Sequence, residues 1–245
     1  MKIKAGDKFP TNGGGQVLVV ERHDWKNVVI EHMDEHRHMA TVTDWNLRNG
    51  TIKNPYLPSV HGVGYFGVVD LIENTDRNHV HAYKKWKRML ERCYSEECHA
   101  RKPTYIGCSV IPEWHNFQVF AAWHESEPNS GNLGFHLDKD LRLGGNKVYS
   151  PSTCSFVPAV INSLLTDSGA SRGILPQGVS ASGKGFRSCL CVNGKQLRLG
   201  TYSTPNQAHE VYKKAKEVNV RSMAEEWKDY LHFEVYDYLK TWNLV

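Results

Sequence analysis

The sequence predicts an α+β chain assembled from several small parts, and three observations carry that expectation. Short β-branched runs separated by turn formers fill residues 1 to 62, an amphipathic helical stripe opens the middle, and a three-strand pattern followed by a helix lies toward the end. At 245 residues there is room for two or three small domains. Hydrophobic residues at 40% and charged residues at 23% exclude a disordered chain. The net charge of +4 is too mild to imply nucleic acid by itself, so any such reading rests on where the charge sits.

In the first part, Val17-Leu18-Val19-Val20, Asn27-Val28-Val29-Ile30 and Ala40-Thr41-Val42-Thr43 read as strands. Gly13-Gly14-Gly15, His23-Asp24-Trp25-Lys26 and Asn49-Gly50 read as the turns between them. Strands this short and close suggest a small barrel resembling the SH3 fold, a scaffold that leaves the role of residues 1–62 open. Pro55, Pro58 and Gly62-Val63-Gly64 then read as a linker to a second part, residues 63–172. Here the spacing of Tyr83, Trp86, Leu90 and Cys93 or Tyr94 predicts one helix over residues 81–102. Its other face carries Lys84, Lys85, Lys87, Arg88 and Arg92 against Glu91, which alone reads as a solvated surface. A second helix is expected at 116–123.

The third part, residues 173–245, has the clearest pattern. Asn193-Gly194 between two alternating strands is a hairpin signal. Arg187, Cys189 and Cys191 fall on one face of the preceding strand, and Phe186, Leu190 and Val192 on the other. A helix from Pro205 to about Val218, capped by Ser203-Thr204, presents Ala208, Val211, Tyr212 and Ala215 to cover the apolar face. A last helix is expected from Met223 to Leu239. Between 178 and 216 the basic residues are Lys184, Arg187, Lys195, Arg198, Lys213, Lys214 and Lys216, with Glu210 the only acid. A basic sheet with one free face fits the major groove of double-stranded DNA.

Gly178-Val179, Phe186-Arg187, Asn193-Gly194-Lys195, Leu199-Gly200-Thr201-Tyr202 and Ala208 with Tyr212 together resemble the AP2 domain. That resemblance implies DNA contacts from the sheet, placed by position at Arg187, Lys195 and Arg198, with Lys184 at the strand entry.

In the middle, His136-Leu137-Asp138-Lys139-Asp140 puts carboxylates on a strand. Gly144-Gly145 makes a return, and Asn162 follows on a helix. Asp138 and Asn162 would offer two oxygens to a hard divalent ion such as Mg²⁺ or Mn²⁺. This run, with Tyr83 through Tyr94, Tyr105-Ile106-Gly107-Cys108, and Trp114 with Phe117, resembles phage-encoded HNH homing endonucleases. The resemblance implies a metal site at Asp138 and Asn162, and a loop-holding role for Asn146. It also implies a general base at position 139, where this chain has Lys. Lys139 acts as that base if its pKa is lowered, or holds the scissile phosphate. Otherwise His136, on the strand face of Asp138, supplies the imidazole. Beside such a core the helix residues Lys84, Arg88 and Arg92 become phosphate contacts.

The resulting expectation is a metal-dependent endonuclease that nicks DNA as a monomer or homodimer and serves the spread of its own element. The alternative is a catalytically inactive, sequence-specific DNA-binding protein. A structural Zn²⁺ on Cys93, Cys108 and Cys154, with Cys98 or His99, is a further expectation, although no CxxC spacing supports it. Cys189 and Cys191 read as filler, and the histidines at 32, 36 and 38 as surface residues. No apolar run nears the roughly 18 residues that cross a bilayer, and the six cysteines form no dense disulfide framework. The start of the chain lacks the apolar core of a secretory signal, so a cytoplasmic location is expected, in the host cell for a phage product.

Overall fold

The structure is a computed structural model that describes residues 2–68, 77–166 and 173–244. Alternating β-branched residues build the N-terminal sheet. Strands β1 (Lys8–Pro10), β2 (Gln16–Arg22), β3 (Val28–His32) and β4 (Met39–Val42) form an antiparallel meander in the order β1-β2-β3-β4. Val17, Val19, Val28 and Ile30 turn inward and are buried with Ile3, Leu47 and Ile52. Leu47 belongs to helix α1 (Asp44–Asn49), which Thr43 caps through the Asn46 amide and Gly50 ends in a left-handed conformation. The barrel expected here is an open sheet among the described residues, with β1 and β4 as its edges. β1 is three residues long and β4 runs directly into the Thr43 cap, so neither edge offers a length of backbone to close on.

In residues 55–64, expected as a linker, Val60 and Gly64 are buried. Val60 bridges Gly64 and Tyr65 bridges Asn116. A Cβ at Gly64 would come within 2.4 Å of Leu90 and 2.8 Å of Trp86, so this glycine permits close approach. It sits against helix α2 (Arg77–Tyr94), whose Trp86, Met89, Leu90 and Cys93 enter the largest core. Trp86 donates its indole N–H to the Trp114 carbonyl at 2.6 Å, which satisfies the polar atom of a fully buried ring. The single helix expected over 81–102 breaks at Ser95. That hydroxyl accepts from the Cys98 amide and starts helix α3 (Glu96–Arg101), with Glu96 and Glu97 favourably placed in its first turn. Helix α4 (Phe117–Ser126), capped by Asn116, adds Phe117, Phe120 and Ala121 to the same core.

Strand β5 (Ser109–Val110) runs parallel to β7 (Val148–Tyr149), while β6 (Phe135–Asp138) pairs antiparallel with β8 (Ser155–Pro158). Pro158 leads into helix α5 (Ala159–Leu164), which completes a strand–strand–helix unit. Strands β9 (Val179–Ser182), β10 (Gly185–Val192) and β11 (Lys195–Tyr202) form a sheet in the order β11-β10-β9. Asn193 and Gly194 take φ of 49° and 74°, the left-handed pair that a tight hairpin turn demands.

Helix α6 (Pro205–Glu226) lies over this sheet and runs past its expected end near Val218. Val220, Met223 and Ala224 prolong its buried stripe and pack against Val235 and Leu239 of helix α7 (Phe233–Thr241). The last helix therefore begins at Phe233, after a break over 227–232. Leu141, Val157, Ile161 and Leu164 join this core, which draws on residues from both sides of the boundary expected at 172. That boundary itself lies outside the described residues. Among the described residues no helix is long and apolar enough to cross a membrane.

Candidate metal and nucleic-acid site

Strand alternation decides what each candidate residue faces. In β6, Phe135 and Leu137 are buried in the large core, and His136 and Asp138 share the other face. Asp138 borders a cleft of about 230 Å³ that is also lined by Asp140, Gly145, Asn162, Thr166 and Tyr238. Its Oδ2 accepts from the amides of Asp140 and Leu141 at 2.9 and 2.7 Å, which fixes the carboxylate. Burial, and then the neighbouring Asp140 charge, push the Asp138 carboxyl up to about 6. Two carboxylates and an amide at one cleft form an all-oxygen donor set suited to a hard divalent cation, whose charge would offset that crowding. The expected metal ligands Asp138 and Asn162 are thus brought together, and Asp140 joins them.

Asn162 Nδ2 lies 3.3 Å from His136 Nδ1. The exposed imidazole keeps its pKa below the ordinary histidine value, through burial of part of the ring and then the charges of Lys85, Arg92 and Arg88. It is accordingly neutral near pH 7 and able to accept a proton. Asn146 donates to the carbonyls of Lys139 at 2.6 Å and Val148 at 2.7 Å, which pins the loop after β6.

Lys139 is placed differently. It is 6% exposed, and its ammonium donates to Asp140 Oδ2 at 2.9 Å and to the Asn146 carbonyl at 3.0 Å. Burial works to discharge it, but the hydrogen bond and charge of Asp140 outweigh burial and hold its pKa above the usual lysine value. A lysine held as a cation is poorly suited to take a proton.

The C-terminal sheet has one face under α6 and one face free. Register places Arg187 opposite Thr201 and Ser180, and Cys189 opposite Arg198, so Arg187 and Arg198 share the free face. Arg187 donates to Ser182 Oγ at 2.7 Å, and Arg198 to Thr201 Oγ1 at 3.2 Å. Lys195 pairs with Val192, on the side facing α6 at the hairpin tip, and does not share that face. Lys184 is exposed at the preceding turn. On α2, Lys84 and Arg88 are exposed, and Arg92 lies 5.4 Å from the Tyr105 ring centroid.

The zinc expectation finds no support among the described residues, where no group of three or more His, Cys, Asp or Glu side chains is placed to hold a metal. Burial pushes the Cys93 and Cys154 thiols up to about 12, leaving them as neutral core groups. His32, expected at the surface, is 3% exposed. Sequence reasoning missed Asp140 and Tyr238 at the cleft. Asp140 was visible as the second carboxylate of its run, whereas Tyr238 arrives from a distant helix with no local signal. No protein-family model matches the chain, and neither the curated proteins nor the solved structures searched give a match.

Proposed function

We propose that this protein is a DNA endonuclease that nicks double-stranded DNA using a divalent ion bound at Asp138 and Asn162, with Asp140 as a further oxygen donor. The observation that carries this reading is the cleft itself. A strand–strand–helix unit brings two carboxylates and Asn162 together beside a neutral imidazole, in a loop pinned by Asn146. Mg²⁺ or Mn²⁺ there would polarise the phosphate and stabilise the leaving oxygen.

The protein groups divide the remaining work. His136 accepts the proton of the attacking water, and Asn162 orients the ring. For Nε2 to be the basic atom, Nδ1 must carry the ring proton and donate to Asn162 Oδ1, so the amide is turned from the placement that sets Nδ2 beside the ring, and the second lone pair of Oδ1 is the one that serves the ion. Lys139 does not act as base; its cation braces Asp140 and the Asn146 loop. Arg187 and Arg198 on the free sheet face, with Lys184, hold the duplex.

Supercoiled plasmid incubated with and without Mg²⁺ or Mn²⁺ tests the proposal, comparing wild type, Asp138→Ala and Asn162→Ala. Metal-dependent nicking lost in both variants, with duplex binding retained, is the expected result. A wild type that shifts duplex DNA in a gel but never nicks it would replace this reading with the non-cleaving DNA-binding alternative.

A further inference from the structure

Away from the cleft, α2 and α3 enclose a second hollow of about 280 Å³, lined by Arg88, Glu91, Arg92, Cys98, Arg101 and Lys102. Four cations therefore face one carboxylate. The walls are held in place by specific contacts. His99 Nε2 donates to the Arg92 carbonyl at 2.9 Å, tying α3 to the end of α2. Arg92 packs against the Tyr105 ring and hydrogen-bonds Tyr149, and Arg101 reaches back to Glu91 at 3.5 Å. A guanidinium already fixed in this way loses little rotamer freedom on meeting an oxyanion.

The hollow also lies on the side of the molecule that carries the cleft. At 100° per residue, Lys84, Lys85, Arg88 and Arg92 fall within an arc of about 100° on α2. Lys85 Nζ donates to the Phe135 carbonyl at 2.6 Å, on the strand that holds His136 and Asp138. The charges of Lys85, Arg92 and Arg88 all reach the His136 ring on the face that carries Asp138. One basic track thus runs from β6 along α2 and ends in the hollow. Arg101 and Lys102 belong to it because the Ser95 cap ends α2 and starts α3 as a separate helix.

We infer that the hollow between α2 and α3 holds a backbone phosphate of the DNA whose scissile bond lies at the cleft. This rests on the endonuclease reading and adds to it a phosphodiester subsite. Arg101 and Lys102 complete the subsite, and Glu91 tempers its charge.

The test measures the full chain's affinity for a fluorescently labelled duplex across a range of NaCl concentrations, without divalent metal. It compares wild type with Arg101→Ala/Lys102→Ala and, separately, Glu91→Gln; thermal unfolding checks that each variant folds. Loss of the subsite should weaken low-salt binding about tenfold and lower the slope of log K against log [salt] by about 0.9 per phosphate released. Glu91→Gln, which removes the carboxylate that lines the hollow and leaves Glu97 beside Arg101, should tighten binding several-fold. Wild-type affinity and slope in both variants would overturn the subsite and leave the endonuclease reading standing. A wild type that binds no duplex would overturn both. Stabilisation of wild type but not the double variant by millimolar inorganic phosphate, with duplex binding unchanged, would mark a free-anion site and overturn the inference.

Discussion

Lowering the pH from 7 to 4.5 should weaken the central core through one residue, His124. Its ring is 2% exposed, lies 5.1 Å from Phe156 and 5.6 Å from His81, and leaves Nε2 without a hydrogen-bond partner. Burial, followed by the charges of His81 and Lys85, lowers its pKa to about 4. An unfolded histidine titrates near 6.5, so on acidification the unfolded chain takes up the proton first. Stability from this site is therefore present above about pH 6.5 and lost as the pH falls through 4. By pH 4.5 the two pKa values correspond to a loss of roughly 2.5 kcal/mol relative to pH 7. Urea unfolding followed by tryptophan fluorescence, at pH 7 and 4.5, measures it in wild type and His124→Phe. Phenylalanine keeps the ring shape and removes the unpartnered nitrogen, so the variant should match wild type within about 1 kcal/mol at pH 7. Wild type should then lose roughly 2.5 kcal/mol more than the variant on going to pH 4.5. Equal losses in the two proteins would refute the assignment of this acid sensitivity to His124.

Asp138→Asn should raise the melting temperature in EDTA at pH 7.5 and abolish any rise on adding Mg²⁺. The folded carboxyl titrates near 6, above its unfolded value, so its neutral form favours folding below about pH 4 and that advantage is lost as the pH rises through 6. A metal-free wild type as stable as the variant at pH 7.5 would contradict this. Gly178→Ala should cost roughly 3 kcal/mol or more in thermal or urea unfolding, because φ is +77° and a Cβ would come within 2.0 Å of the Tyr212 ring. A loss below 1 kcal/mol would mean that the ring can move aside. His136→Ala should slow nicking by about a hundredfold or more at unchanged duplex affinity, whereas Lys139→Met should cost far less. The reverse order would return the base to Lys139.

What the sequence disclosed was local. Asn193-Gly194, the alternation of Phe186 through Val192 and the Thr204-Pro205 helix start all encode their geometry within a few residues, and each is found as expected. Features set by non-local pairing were not legible. The register of β11 shifts by one residue beside Ser188 and Cys189, and this irregularity decides which side chains share a face with Arg187. Lys195, by contrast, falls opposite Val192 on the covered side through the two-residue turn itself, a placement the local pattern did encode. Ser95 was an ordinary residue inside a helical stripe until its hydroxyl capped α3. Whether the N-terminal strands close into a barrel depends on an edge-to-edge pairing that no short-range pattern encodes. Asp138, Asn146 and Asn162 were singled out because the run around them resembles the HNH core, not because spacing alone placed them together.

The lysine at 139 looks at first like a lost catalytic residue, but the strand gives it another meaning. Residues 136 and 138 point to one side of β6, and the side chain of 139 lies buried beside Tyr149 and the Asn146 loop. On that side a base is of little use, because proton transfer to solvent or substrate requires hydrogen-bond reach. A fixed cation is useful there. It neutralises Asp140 and, through the Asn146 carbonyl, braces the same loop whose amides hold Asp138. The cleft side keeps an imidazole at 136 that is neutral under ordinary conditions. The proposed base thus comes from the strand and the brace from the bend just past its end, two and one residues from Asp138. The helix that carries Tyr238 packs against the same unit, so the cleft depends on a C-terminal segment that its place in the chain alone would assign to the β9–β11 sheet.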